Sequence, residues 1–332
     1  EVVANAVDEV LAGRCSRIDV TIEADGAVTV EDDGGGMRTD IVDGMAFPEL
    51  AFTTLHHTAT LDGHAPHEHV GLHGVGLCAV SALSQYVTFE TWRDGSRFRQ
   101  RFERGRPVSK LERVGATELT GTRVTFRPDA DIFSLTLFDA ERIRKRLEEF
   151  AYLLPELTLT LKDRRELQFH HPRGLVAWVE AQLRDDPDVA TSRPFYLCEE
   201  HEDVIVEVAA NWGSQSRSAI ESFANINRTT SGGAHVRGLL LGLVAGVRAA
   251  TPLACKGRRT VDLERAVSRG LVAIVCVRLN DPEFDGPTRS ELSTPRVRKI
   301  VKKMVENSSR FYLHGEPELL RRITSGANRV RD

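Results

Sequence analysis

The sequence predicts an α+β protein of two domains that meet near residue 172. Three observations lead there. At 332 residues the chain can bury two cores, given roughly 100–200 residues per domain. In both halves, short alternating apolar segments are interleaved with stretches of helical periodicity. Between the halves, Pro172-Arg173-Gly174 interrupts the pattern where neither helix nor strand continues easily. There are no internal repeats and no low-complexity tracts.

In residues 1–12, Val2, Val3, Ala6, Val7, Val10 and Leu11 fall on one helical face, and Gly13 is a natural stop. Residues 18–22 and 27–30 alternate around Asp25-Gly26, a hairpin that brings the chain to Asp32 at a strand end. Gly34-Gly35-Gly36 cannot continue that strand. Residues 47–70 contain five histidines (His56, His57, His64, His67 and His69) without periodicity, and read as a mobile loop without trusted metal-ligand spacing. Residues 71–76 open a helix that runs to 83, and strands follow at 86–92, 98–103 and 122–127. Residues 139–154 form a helix rich in Arg and Glu, and 157–161 with 167–169 make a further hairpin. The second half reads as helix 175–183, strands 204–210 and 218–226, helix 232–249, helix 261–268, apolar strand 271–279 and basic amphipathic helix 294–310. That alternation predicts a crossover connection.

Composition narrows the function. With 44 Lys+Arg against 48 Asp+Glu, the formal charge is 44 − 48 = −4, so the chain does not coat nucleic acid by bulk charge. Basic clusters at Arg142, Arg144, Lys145 and Arg146, and at Arg296, Arg298, Lys299, Lys302 and Lys303, read first as solvated helix faces; phosphate contacts would use the same residues. Five scattered cysteines without a C-x-x-C pair indicate neither a disulfide framework nor a zinc site, and fit a reducing cytoplasm. The longest apolar run, residues 239–247, falls short of the ~18 residues of a membrane span. No signal peptide is present, and the chain opens on Glu1 rather than Met, which points to residues upstream.

Four constellations carry chemistry. Glu1, Asn5, Asp8 and Glu9 stand at i, i+4, i+7 and i+8, so one helix face presents three carboxylates and an amide; such oxygen ligands suit Mg²⁺, and a solvated acidic face is the alternative. Asp32-Asp33-Gly34-Gly35-Gly36 ends a strand on a carboxylate able to accept a hydrogen bond from an exocyclic amine such as adenine's. Its glycines would let a flat ligand approach; a tight turn is the other reading. Gly71-Leu72-His73-Gly74-Val75-Gly76 precedes a helix and would offer free backbone N–H groups to phosphate. It is not a P-loop, since no Gly-Lys-Ser/Thr follows, nor a dinucleotide fingerprint, since no strand leads directly into it. Finally, a hydroxyl at Thr122, in Thr120-Gly121-Thr122, could join Asp32 in reading a base edge.

In order and spacing, these motifs resemble the GHKL (Bergerat) ATPase fold, and most closely the ATPase region of bacterial type IIA topoisomerases, the gyrase B and topoisomerase IV B proteins. The residues are Glu1 to Glu9, Asp32 to Gly36, Gly71 to Gly76 with Ala82 to Gln85, and Thr120 to Thr122. In the second half, Ser222-Phe-Ala-Asn225-Ile, Gly232-Gly-Ala-His235, Gly270-Leu-Val-Ala-Ile-Val and Asp281-Pro-Glu-Phe284 resemble that family's transducer domain. The resemblance implies an α/β-sandwich ATPase domain over 1–172 and a transducer domain with a ribosomal-S5-like fold over 173–332. It implies ATP and Mg²⁺ as cofactors, Glu1 as the general base, and Asn5 as the metal ligand. Asp32 becomes the adenine carboxylate with Gly36 and Thr122 beside it, and Gly71, Leu72, His73, Gly74, Val75 and Gly76 the phosphate lid. Asp8, Glu9, Gly34 and Met37 complete the nucleotide site, and Arg289 senses the γ-phosphate. It further implies an ATP-driven clamp coupled to strand passage, working in the bacterial cytoplasm as a homodimer with double-stranded DNA and a gyrase A-like cleavage subunit, with no membrane. The family's N-terminal arm and DNA-cleavage regions do not appear in the chain, which is therefore not expected to cut DNA by itself.

The departures suggest an alternative. Pro287-Thr288-Arg289 replaces the family's usual Gln-Thr-Lys, and Thr58-Ala59-Thr60-Leu61 a usual Gly-Gly-Lys-Phe. Arginine keeps the charge but not the geometry of a lysine. A divergent paralogue that binds nucleotide, hydrolyses it weakly and acts as a regulatory or interaction module would fit these losses. Gly35 stands where an arginine usually borders the adenine pocket, and Met37-Arg38 replaces Ile-Pro, while Arg93 is kept. Aminocoumarin sensitivity is therefore expected to be altered. Titration with novobiocin checks this, and ordinary tight binding counts against it.

Overall fold

In the computed structural model, residues 1–55, 75–214, 218–286 and 288–326 are described. The chain divides into two compact units, Glu1–Pro172 and Arg173–Asp332.

The first unit begins with α1 (Val2–Leu11), β1 (Arg17–Ile22), β2 (Val28–Asp32), β3 (Ile41–Val42), β4 (Met45–Ala46) and α2 (Phe47–Thr53). It continues with α3 (Gly76–Ala82), β5 (Ser84–Arg93), β6 (Ser96–Glu103), β7 (Arg106–Pro107), β8 (Glu112–Ala116) and β9 (Gly121–Pro128). It closes with α4 (Ala140–Leu153), β10 (Thr158–Lys162) and β11 (Glu166–Phe169). The strands form one sheet in the order β11-β10-β1-β2-β9-β5-β6-β7, with β8 also on β6. Only the β1·β10 pair in that sheet is parallel among the described residues. On α1, Val2, Ala6 and Val7 are buried as the periodicity predicts, and so is Asp8. On β2 the burial alternates, placing Asp32 on the same inner face as Val28 and Val30. Asp139 caps α4 by accepting from the Glu141 and Arg142 N–H groups. The expectation of a loop from residue 47 onward needs correcting: Phe47, Pro48, Leu50, Ala51 and Phe52 pack into the core as α2. Pro48 starts that helix where it lacks no needed donor.

The second unit contains α5 (Gly174–Gln182), β12 (Phe195–His201), β13 (Val204–Trp212), β14 (Ala219–Ala224), β15 (Asn227–Arg228) and β16 (Gly232–Gly233). After these come α6 (Ala234–Ala250), α7 (Thr260–Ser268), β17 (Leu271–Leu279), β18 (Glu291–Leu292), α8 (Pro295–Gly315) and α9 (Pro317–Gly326). Its sheet runs β12-β13-β17-β14-β15. Parallel pairing of β14 with β17 makes the intervening α6 and α7 the predicted crossover. Every residue of β17 except Arg278 is buried, as its continuous apolar run requires. Among the described residues no helix is long and apolar enough to cross a membrane.

Helices α6 and α8 meet along Gly238, Gly242 and Gly246. A Cβ at Gly242 would lie 2.7 Å from Val305 Cβ and 2.8 Å from the Lys302 carbonyl oxygen. Because the obstacle includes backbone, relief requires the helices to part. Gly242→Ala is therefore expected to destabilise this unit by about 1–3 kcal/mol, overpacking outweighing the better helix propensity of alanine. An unchanged urea midpoint would contradict this.

At the start of α6, His235 is fully buried. Its Nε2 lies 3.1 Å from Thr229 Oγ1, which lies 2.7 Å from Ser222 Oγ. Burial pushes the imidazole down to about 4 from its ordinary 6.5. Between those values the unfolded chain takes up a proton that the folded chain refuses. The contribution is thus present above about 6.5 and lost as pH falls toward 4, by up to about 3 kcal/mol. Urea midpoints measured from pH 7 to 4.5 should fall more steeply for the native chain than for His235→Gln.

Candidate functional site

The turn after β2 brings three elements of the first unit together. Asp32 sits opposite Thr122 in the β2·β9 register, and Thr122 sits opposite Thr91 in the β5·β9 register. The Asp32 carboxylate is 9% exposed and accepts the Gly34 N–H at 2.9 Å. Burial, helped by the negative charge of Glu9, pushes Asp32 up to about 7, against the pull of the Gly34 and Thr122 backbone N–H groups. Thr122 thus reaches Asp32 through its backbone N–H. Asp33 has a different role. It accepts from Ser16 N and Oγ and from Arg17 N at 2.7–2.8 Å, and despite partial burial these bonds hold it below the usual carboxylate range.

The glycines let the turn pack closely against its neighbours. Gly36 has φ +75°, and a Cβ there would strike the Trp92 carbonyl and lie 2.9 Å from Thr91 Oγ1. A Cβ at Gly34 would lie 2.8 Å from Asp32 Oδ1 and 3.0 Å from Glu9 Cβ. The turn is seated this closely on β5 and α1 so that Asp32 keeps its place. Two further groups hold it. Arg93 Nη1 donates to the Gly36 carbonyl at 2.7 Å. Thr91 Oγ1 donates to the Gly121 carbonyl at 3.1 Å and the Met37 carbonyl at 3.4 Å. Sequence reading passes over Thr91, yet the signal exists: it follows Val87 and Phe89 on the inward face of β5, where a hydroxyl needs a reason.

Among the described residues no three carboxylate, His or Cys side chains are grouped to hold a metal by themselves, and the four polar residues of the α1 face have different surroundings. Asp8 is buried. Glu9 accepts from Arg14 Nε at 2.9 Å, Arg14 Nη2 at 2.6 Å and Gly35 N at 3.0 Å. Asn5 behaves differently: its Nδ2 is buried without a hydrogen-bond partner among the described residues. An amide end left unpaired in this way fits a site completed by a ligand. Glu1 caps α1 and lies against Gly76, where a Cβ would collide with the Glu1 carboxylate. The fold therefore brings Glu1 to the end of the Gly71–Gly76 motif. Gly71, Leu72, His73 and Gly74, like Thr60, Pro287 and His56 to His69, lie outside the described residues; Val75 is the N-cap of α3.

In the second unit, Arg289 lies in the β17–β18 loop at φ +55°. That loop is tied down on several sides: Asp285 N donates to Glu291 O at 2.9 Å, Ser231 N to Ser290 O at 2.8 Å and Ser293 N to Glu283 O at 2.8 Å. β18 pairs with β16, and a Cβ at Gly233 would strike the Leu292 backbone. The Gly232-Gly-Ala-His235 motif thus supports the Arg289 loop.

A nine-stranded sheet with a buried carboxylate at the end of an inner strand, followed by a five-stranded α+β unit, defines a GHKL-type ATPase domain with its transducer. A family model described as "Histidine kinase-, DNA gyrase B-, and HSP90-like ATPase" matches residues 1–132, and one described as "DNA gyrase B" matches 174–331. The DNA gyrase B protein of Borreliella burgdorferi is 36% identical over 314 residues, covering 92% of this chain and 49% of that protein. For DNA gyrase B of Thermotoga maritima the figures are 35% over 343 residues, 98% and 53%. The chain spans about half the length of the curated relatives it matches. The solved 43K ATPase domain of Thermus thermophilus gyrase B, in complex with an aminocoumarin, is 31% identical with a TM-score of 0.81, covering 99% of this chain and 87% of that one. The topoisomerase IV ATP-binding domain of Francisella tularensis, in complex with a small-molecule inhibitor, is 26% identical with a TM-score of 0.83, covering 99% and 90%. The chain belongs to the DNA gyrase B family.

Proposed function

We propose that this chain is the ATP-binding and hydrolysing clamp region of a gyrase B-like type II topoisomerase. The observation that carries the reading is the buried Asp32 carboxylate, held at a strand end by backbone donors and pushed up to about 7 by its burial. A group so placed gains from a ligand that donates to its ionised form, as the adenine amine does.

The roles follow from position. Asp32 accepts from the adenine amine, with Gly34, Gly36, Met37 and Thr122 shaping that end. Asn5 would hold Mg²⁺ through its amide oxygen together with the nucleotide's phosphates, while its Nδ2, a donor unpaired among the described residues, would meet a phosphate oxygen; the ion supplies charge neutralisation at phosphate when bound. Glu1, next to Gly76, accepts the proton of the attacking water. Gly71 to Gly76 enclose the phosphates, and Arg289 reads the γ-phosphate by charge. In the whole protein the clamp would close as a homodimer around double-stranded DNA, with a gyrase A-like partner doing the cutting, in the bacterial cytoplasm.

Calorimetric titration of the chain with a non-hydrolysable ATP analogue and Mg²⁺ tests the site. Saturable one-to-one binding is expected. Absence of binding to the folded chain would overturn the reading and favour an interaction module.

A further inference from the structure

Gly35 leaves a gap in the turn that follows β2, and a neighbouring side chain fills it. A Cβ at Gly35 would come within 3.3 Å of Arg14 Cδ and 3.4 Å of Arg14 Nε. Arg14, just beyond the C-terminus of α1, grips Glu9 through two hydrogen bonds of 2.9 and 2.6 Å. Its backbone N–H also donates to the Glu9 carbonyl at 3.0 Å. Glu9 Oε2 in turn accepts the Gly35 N–H at 3.0 Å. Guanidinium, carboxylate and turn amide thus form a continuous chain from the end of α1 to the turn that carries Asp32.

We propose that Arg14 is a positioning residue of the nucleotide pocket, holding Glu9 against the Gly35 N–H and so setting the turn that aims Asp32 at its ligand. The inference rests on the function proposed above. A bidentate guanidinium–carboxylate pair fixes both partners in one plane. It also offsets a negative charge standing beside Asp32. The charged and titratable groups about Asp32 are Glu9 on α1 and Asp33 in the turn, both of which raise the energy of its ionised form, and Cys15 before β1, whose thiol is kept protonated and uncharged by its burial and by the Asp32 and Asp33 carboxylates. On the β5 side, Arg93 is engaged with the Gly36 carbonyl. Without Arg14, Glu9 is left uncompensated, Asp32 holds its proton to higher pH, and the turn loses a restraint. Arg14 and a side chain at position 35 are also alternative occupants of one space. A side chain at 35 crowds Arg14, its Cβ standing 3.3 Å from Arg14 Cδ, so an arginine there competes with Arg14 for Glu9 when both are present and can take over Glu9 when Arg14 is gone.

The test is titration of the full chain with a non-hydrolysable ATP analogue and Mg²⁺ from pH 6 to 9, comparing the native chain with Arg14→Ala, Arg14→Lys, Gly35→Arg and the double variant Arg14→Ala/Gly35→Arg. Arg14→Ala is expected to weaken binding about tenfold at pH 7 and less at pH 9, with Arg14→Lys intermediate. Gly35→Arg alone should also weaken binding, whereas the double variant should return to within about threefold of the native chain. Binding by Arg14→Ala that matches the native chain at every pH overturns the proposal. So does a double variant whose loss is the product of the two single losses, since independent sites would then explain both. If the native chain itself fails to bind, the proposed function falls and this inference with it.

Discussion

Asp32→Asn should lower the affinity for an ATP analogue by about a hundredfold or more while raising the melting temperature of the unliganded chain. The loss follows from the burial of the group. Where the carboxylate offers acceptors on both oxygens, the amide offers one acceptor and two donors, so an adenine amine would meet a donor in a site that excludes water. Each buried polar group left unpaired costs about 1–3 kcal/mol, and two are created. The gain in stability follows from the same burial. With its pKa raised from 3.8 to about 7, the folded chain binds the Asp32 proton more tightly than the unfolded chain. That contribution is fully present below about pH 4 and lost as pH rises toward 7, by up to about 4 kcal/mol at neutral pH and above. Asparagine carries no such dependence. A native affinity that weakens about tenfold per unit below pH 7, and an Asn variant that melts higher at pH 8 and does not bind, are the joint expectation. Undiminished binding by Asp32→Asn would remove Asp32 from the site.

Glu1→Ala should leave analogue binding within about threefold of the native value and reduce turnover by 10²–10⁴, about the usual contribution of a general base. Glu1 is exposed at the start of α1, outside the apolar face that anchors the helix, so truncation removes little packing. Its backbone carbonyl still accepts the Asn5 N–H at 3.1 Å, which no side-chain change disturbs. Phosphate release under single-turnover conditions, beside calorimetry on the same sample, separates the two quantities. Retained turnover would assign the proton to another group. Loss of binding would instead show that Glu1 supports the nucleotide rather than the water. The same assay on the native chain distinguishes efficient hydrolysis from the weakly hydrolysing alternative that Arg289 and Pro287 suggest.

Much of the first unit is legible in the sequence because its signals are local. The helix of α1, the hairpin at Gly26 and the end of β2 at Asp32 follow from periodicity and turn chemistry within about thirty residues. Helix α2 escapes sequence reading because its five buried apolar residues carry no clear period until they are seen against β6 and β7. Strand β12 escapes it because beyond Leu197 its residues are exposed, Cys198 to His201 leaving no alternation to read. Helix α9 is likewise not predicted, although Leu319, Leu320 and Ile323 join the core of the second unit.

By itself the sequence determined which residue types stand at which element ends: a carboxylate at the end of an inner strand, an amide and a carboxylate on the first helix, glycines where chains must approach closely. Backbone geometry alone sets these placements, so they can be read without a partner. The tertiary structure decided what each group touches. Gly36 packs on Trp92, Arg93 holds Gly36 across 57 residues of chain, and Thr91 bridges Gly121 and Met37. It likewise left the Asn5 amide unpaired among the described residues and turned Glu9 from an expected metal-facing acid into the partner of Arg14 and Gly35. Hydrogen bonds and exclusion from water depend on distance in space, and the residues that meet here come from four separate strands and helices.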